Sequence, residues 1–280
     1  MLDTRTGVRA LSPADLPAFR ELLARDPLTN VFLQYRADTT RLEPRWMGGQ
    51  MLGRFTDGVL TSVCHCGANV VPGEADRTAA EAFADRLVRS GVRPSSIAGP
   101  RDAVLTMWER LGPVWGPARS PRLAQPFLVI DHESPLTPDP RVRRVVMDEL
   151  DVLYPACVQM FAEEVGVDPE ASHGHMYRAR VAQLVTQGWA FAIIEDDEVL
   201  FKAEVGAAST AACQLQGVWV RPDLRGTGVA AGALASVVRL VRRDIAAAVT
   251  LYVNDHNLPA RRTYARAGFR DHGTFASILL

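Results

Sequence analysis

The sequence predicts an α/β protein built on a mixed, α+β-type sheet and written as two domains of similar size. The first sign is a proline-rich break between Asp131 and Pro140, where Pro135, Pro138 and Pro140 forbid a helix interior or a central strand. It divides the 280 residues almost in half, and roughly 140 residues is an ordinary domain size. The second is the order of periodicities after the break: helix, helix, hairpin, strand, helix, strand, helix, strand. That order makes a mixed sheet with one strand–helix–strand crossover. The third is a weaker echo of the same order before it. Domains are expected at 1–134 and 143–280, with a linker at 135–142.

Before the break, residues 12–25 read as a helix opening at a serine cap, Ser12. Residues 51–71 hold a hairpin about Asp57-Gly58. Residues 78–89 are helical, 95–98 a short strand, 103–111 helical and 127–130 a closing strand. After the break, 145–165 and 172–187 carry helical spacing, separated by a turn at Gly166-Val167-Asp168-Pro169. Residues 189–195 and 199–207 flank Asp196-Asp197 as a hairpin. A strand at 213–220 ends at Arg221-Pro222-Asp223, a helix follows at 228–243, a strand at 249–254 and a helix at 259–267. Residues 269–280 hold one or two closing strands.

Composition narrows the function classes. Lys and Arg number 31 against 32 Asp and Glu, a net charge of −1, which leaves no basic footprint for nucleic acid. No apolar run reaches the roughly 18 residues of a membrane helix, so no membrane partner is expected. Met1 to Arg5 lacks the apolar stretch of a secretory signal, and a cytoplasmic protein is expected. The four cysteines do not read as a disulfide framework in so long a chain. Cys64-His65-Cys66 has one residue between thiols, where zinc knuckles use two to four. His173 and His175, two apart, are equally poor, so no metal is expected. Lys202 is the only lysine in an arginine-rich chain.

The strongest local signal is the run from Val218 to Ala230, where a strand ends, the chain turns and small residues open a helix. Glycines there let backbone N–H groups approach an anion, and the helix start favours a pyrophosphate. Arg225 can add charge-assisted bonds. The plainer alternative is a glycine turn packing a helix onto a sheet. Gly226-Thr227-Gly228-Val229-Ala230-Ala231 also fits a dinucleotide fingerprint. However, the nearest acid after a strand is Asp255, 29 residues beyond Gly226, against about 20 residues on in that motif, and too little chain follows for the rest of that domain. A Walker loop fails for want of Gly-Lys-Ser/Thr.

Arg225-Gly226-Thr227-Gly228-Val229-Ala230 resembles the Q/R-x-x-G-x-G/A motif of the GNAT acyltransferases. Downstream, Asn257, Ala260, Tyr264, Gly268 and Phe269 match the family's second block, N-x-x-A-x-x-x-Y-x-x-x-G-F. The resemblance covers about residues 143–280. In the first half, Arg101, Trp108 and Gly112 repeat the spacing of that block, but Val71 to Arg77 holds one glycine and two acids where phosphates would sit. Carboxylates there repel a pyrophosphate. The resemblance therefore implies tandem GNAT folds, each a central mixed sheet flanked by helices, the first degenerate and without bound CoA.

What the resemblance implies for chemistry is acetyl transfer from acetyl-CoA to a primary amine by direct attack, on a small-molecule or peptide acceptor. It places Val218 and Val220 beside the pantetheine arm. Arg225, Gly226, Thr227, Gly228, Val229, Ala230 and Asn257 fall at the cofactor, and Tyr264 both there and as the acid for the departing thiolate. Tyr264 also reads as a helical aromatic packed on the sheet. The family's usual glutamate is missing, because Gln214 and Gln216 cannot accept a proton at neutral pH. Glu204 is the candidate base, with a structural pair to Lys202 as the competing reading. Glu163 and Glu164 are candidates for the acceptor wall, or a solvated helix end. A mycothiol-synthase-like role and a non-catalytic acetyl-CoA-binding sensor are the alternatives. Oligomeric state is not readable.

Overall fold

A computed structural model describes residues 6–280, apart from the side chains of Ser172 and His173. The leader expectation at Met1 to Arg5 and the His173 expectation therefore lie outside the described residues. The chain packs as two units: residues up to Leu128 with Tyr252–His256 and Asp271–Leu280, and Val129–Leu251 with Asn257–Arg270. The chain's last ten residues thus pack with its first half.

In the first unit, β1 (Gly7–Ala10) is followed by α1 (Leu16–Leu23), α2 (Val31–Thr40) and α3 (Pro44–Met47). Next come β2 (Gly49–Thr56), β3 (Val59–Gly67), β4 (Asn69–Gly73), α4 (Arg77–Ser90), β5 (Ser96–Pro100), α5 (Arg101–Trp115) and β6 (Ser120–Ile130). The predicted helix at 12–25 is a 3₁₀ turn, Pro13–Asp15, leading into α1. Asp15 accepts from both the backbone and the hydroxyl of Ser12, which fixes the entry. α2 and α3 have no counterpart in the sequence reading, since α2 mixes polar and apolar residues around its axis. The Asp57-Gly58 hairpin forms with both residues at positive φ, 51° and 83°. Side chains alternate across the sheet: Met51 and Val63 pack with Phe19, and their neighbours Leu52 and Cys64 with Phe83.

The second unit holds β7 (Arg143–Arg144), α6 (Leu150–Val165), α7 (Glu170–Thr186), β8 (Ala190–Glu195), β9 (Glu198–Ala208) and β10 (Ala212–Val220). It continues with α8 (Val229–Asp244), β11 (Ala248–Tyr252) and α9 (Leu258–Ala267); β12 (Arg270–Leu279), which packs with the first unit, closes the chain. Its strands run in the order β11-β10-β9-β8-β7. Those of the first unit run β1-β2-β3-β4-β5-β12-β6, with β12 antiparallel to β5. One closing strand forms, where one or two were expected. In each unit two parallel strands are joined through a helix: β4 and β5 across α4, β10 and β11 across α8. The fold is mixed α/β, a mixed sheet flanked by helices.

The proline-rich segment is held in place rather than loose. Asp139 N–H donates to the Gly232 carbonyl at 3.0 Å, and Ser236 donates to the Asp139 carbonyl at 2.6 Å. Small residues on α8 allow that approach. Among the described residues no helix is long and apolar enough to cross a membrane.

Candidate functional site

The site begins with a strand that parts from its neighbour. The parallel register of β10 with β11 covers only Ala212–Gln214 against Ala248–Thr250. Beyond it β10 stays paired to β9, with Gln216 opposite Glu204 and Trp219 opposite Lys202. That spacing leaves one extra residue on β10, a β-bulge. Gly217 sits in it at φ +57°, and a Cβ there would meet Lys202 Nζ at 3.0 Å and Met160 at 3.1 Å. Both the backbone conformation and the close approach favour glycine.

The bulged strand leads into the predicted loop. Gly226 and Gly228 adopt φ +82° and +97°, and nothing lies within 4 Å of where their Cβ atoms would stand. Open space and left-handed backbone together leave the loop approachable. Gly228 caps α8 with no side-chain bond, and the first turn of α8 has no acid. Val229 and Ala230 thus open a helix whose N-cap has no side chain to accept from its first N–H groups, a donor set suited to a pyrophosphate. Thr227 donates its hydroxyl to the Leu224 carbonyl at 2.7 Å, which braces the turn. Arg225 donates through Nε to the Val220 carbonyl at 3.0 Å and pairs with Glu163 at 2.6 Å.

Beneath the bulge lies a buried ion pair. Lys202 and Glu204 share one face of β9, their side chains 1% and 7% exposed, and Nζ meets Oε1 at 2.6 Å. Nζ also donates to the Gly217 carbonyl at 3.1 Å. The Cys157 thiol donates to the same Glu204 oxygen at 3.6 Å, and Gln216 donates to the other at 3.5 Å. Burial pushes the Cys157 thiol up to about 12. Burial alone pulls the Lys202 ammonium down, and Glu204 more than offsets it, so the net direction is upward. Glu204 is therefore a paired carboxylate, in line with the competing sequence reading.

Tyr264, on α9, is buried and packs edge-on against Phe269 at 5.8 Å. Burial, followed by the charge of Glu164, raises its phenol above the ordinary value. Asn257 accepts from Ala260 N–H at 3.2 Å and caps α9, so its carbonyl serves the helix. Glu163 is exposed near the end of α6, and its carboxylate is engaged there. It accepts from Gln159 at 3.1 Å besides holding Arg225. The sequence reading missed both this pair and the Lys202 bond to Gly217. Only the second left a signal, a lone lysine inside the apolar run Phe201–Val205. In the first unit, Gly112 lies within α5, which runs on to Trp115, whereas Gly268 ends α9 at φ +100°. The proposed repeat therefore loses its glycine. Among the described residues, no group of three or more His, Cys, Asp or Glu is placed to hold a metal ion.

Residues 181–269 match the Acetyltransferase (GNAT) family, and residues 49–153 match a Domain of unknown function (DUF4081). No functionally curated protein matches the chain. Among solved structures, the chain is similar to a GCN5-related N-acetyltransferase from Sphaerobacter thermophilus at 19% identity and TM-score 0.61, covering 99% of this chain and 96% of that one. It is also similar to a Drosophila protein, at 13% identity and TM-score 0.68, covering 98% and 99%. A third is a tandem GNAT protein from the clavulanic acid biosynthesis pathway, at 14% identity and TM-score 0.55, covering 97% and 98%. At these identities the likeness is one of fold. The family match falls on the bulged strand, its loop and α9, so it is residues 181–269 that match the GNAT acetyltransferase family, within a chain whose fold is similar to that of solved GNAT proteins.

Proposed function

We propose that residues 143–280 transfer an acetyl group from acetyl-CoA to a primary amine of a small molecule or peptide. The observation that carries this reading is the loop at 225–230, where two left-handed glycines precede an uncapped helix start, next to a strand that has left its parallel neighbour. Arg225 and the N–H groups of 226–230 would hold the phosphates, and the stretch of Val218 and Val220 beyond the parallel register would take the pantetheine arm. Bound there, acetyl-CoA supplies the acyl thioester.

The rest is the chain's own work. An amine near pKa ~10 must lose a proton before it attacks. Glu204, beside the bulge and paired with Lys202 at 2.6 Å, takes that proton directly or through water. As the amine nitrogen bonds the carbonyl carbon, a backbone N–H of the bulged strand meets the charge growing on oxygen. The carbon–sulfur bond then breaks, and Tyr264, its phenol raised and so protonated at neutral pH, returns a proton to sulfur. Glu163 and Glu164 would face a cationic acceptor. The first unit is read as having lost CoA binding, and the protein as cytoplasmic.

A second reading, an acetyl-CoA sensor without turnover, is favoured by one observation: Glu204 is tied to Lys202 while Gln214 and Gln216 fill β10. Calorimetric titration with acetyl-CoA, then CoA release across a panel of amines, separates the two. Binding with turnover on at least one amine is expected; binding with none favours the sensor, and no binding overturns both.

A further inference from the structure

We propose that Lys202 is a positioning residue for acyl transfer, holding the Gly217 carbonyl so that the Val218 N–H faces the thioester oxygen. The inference rests on the acetyl-CoA reading above. A trans peptide points its C=O and its N–H in opposite directions. Lys202 Nζ draws the Gly217 carbonyl toward β9 at 3.1 Å, so the N–H of Val218, on that same peptide unit, turns away from β9. In the strand order β11-β10-β9, that is the side where the parallel register with β11 has already ended.

The ammonium does more than a neutral donor would. A charge-assisted bond to the carbonyl polarises the peptide and makes its N–H a stronger donor. Glu204 balances the buried charge, while Cys157 donates to the same carboxylate oxygen and Gln216 to the other. Gly217 completes the device, since its left-handed φ shapes the bulge and the missing Cβ admits Nζ. Buried ion pairs are seldom more stabilising than apolar residues of equal volume. Stability alone therefore does not account for a charged pair under this strand.

The test is isotope-edited infrared spectroscopy of [1-¹³C]acetyl-CoA bound to the full chain, with no acceptor present. Wild-type protein should move the thioester carbonyl band to lower frequency than in solution. Lys202→Met should bind acetyl-CoA within a few-fold of wild type and lose most of that shift, while CoA itself binds both alike. Because that variant strands the Glu204 charge, the double replacement Lys202→Met with Glu204→Leu removes both charges together and should lose the shift in the same way. A double variant that keeps the full shift overturns the role of Lys202, as does wild-type protein that binds acetyl-CoA without shifting the band. Wild-type protein that does not bind acetyl-CoA overturns the acetyl-CoA reading itself, and this inference with it.

Discussion

The two units solve the same stretch of chain in opposite ways. In both, a strand outlasts its parallel partner: β4 runs to Gly73 although its register with β5 ends at Val70, and β10 runs to Val220 although its register with β11 ends at Gln214. After that they diverge. β4 pairs with β3 in unbroken register and carries Pro72, which has no N–H to offer. β10 is bulged over a buried ammonium. The first link, Glu74 to Asp76, is short, and Asp76 accepts from Ala79 N–H at 2.7 Å, filling the start of α4 with the chain's own carboxylate. The second link, 221–228, is long, and its helix start is uncapped. A parted strand is therefore not enough to make an anion site. The donors at the helix start must also be left free.

The largest expected effect falls on the bulge. Lys202→Met removes one partner of a buried pair, and such losses cost about 3–5 kcal/mol. Denaturant unfolding should show that cost, while the double variant with Glu204→Leu recovers most of it. The sign with pH follows from the raised Lys202 pKa. The pair's contribution is complete below the unfolded lysine value of about 10.4 and is lost only as pH climbs through the folded value. Glu204, Cys157 and Glu164 all bear on that charge. A single variant as stable as wild type would break the contrast with the regular β4.

Next is the loop. Gly228→Val places a β-branched residue at φ +97°, a conformation such side chains avoid, and crowds the helix start. Calorimetry should show acetyl-CoA affinity reduced at least about 100-fold, near 2.7 kcal/mol. Unchanged affinity would remove the cofactor assignment.

The glycines of this loop were legible in sequence because their reason is local: a left-handed backbone at a helix start. The hairpin turns at Asp57-Gly58 and Asp196-Asp197 were legible for the same reason, with four positive φ values in four residues. Partner choice was not. Alternating residues show that 270–279 is a strand but carry no sign that it pairs with β5, since period two fixes a face and leaves the neighbour open. Asn257 shows the limit of motif matching. It occupies the family position, yet its carbonyl caps α9, a role that the following Leu258-Pro259 supports equally well. The Arg225–Glu163 pair joins residues 62 apart in sequence, a contact only the packing of α6 beside the loop creates.

Exchanging the two loops' chemistry sharpens the comparison at intermediate size. Thr227→Asp brings an acid to the start of α8, which favours the helix by about 0.3–1 kcal/mol and opposes phosphate. Thermal unfolding should stay near wild type, the helix gain offset by the lost Thr227 bond to the Leu224 carbonyl, while acetyl-CoA affinity falls about tenfold, near 1.4 kcal/mol. The converse, Asp76→Ala, should cost about 1 kcal/mol through the lost cap and leave acetyl-CoA affinity unchanged. Weaker acetyl-CoA binding in that variant would mean that the first unit takes part after all.

The smallest effect separates two jobs for Glu163. Its pair with Arg225 is partly exposed on both sides, and such pairs are worth about 0.2–1 kcal/mol. Glu163→Gln should therefore barely move stability. If Arg225 serves the phosphates, releasing it from Glu163 tightens acetyl-CoA binding by up to about fivefold, the equivalent of 1 kcal/mol, and steepens the dependence on salt because one more cation is free to meet the anion. If Glu163 serves only the amine, affinity for acetyl-CoA alone stays as in wild type, and the change appears instead in KM for the acceptor. Tighter binding marks the loop's arginine as restrained in the free protein. Unchanged binding leaves Glu163 to the acceptor wall.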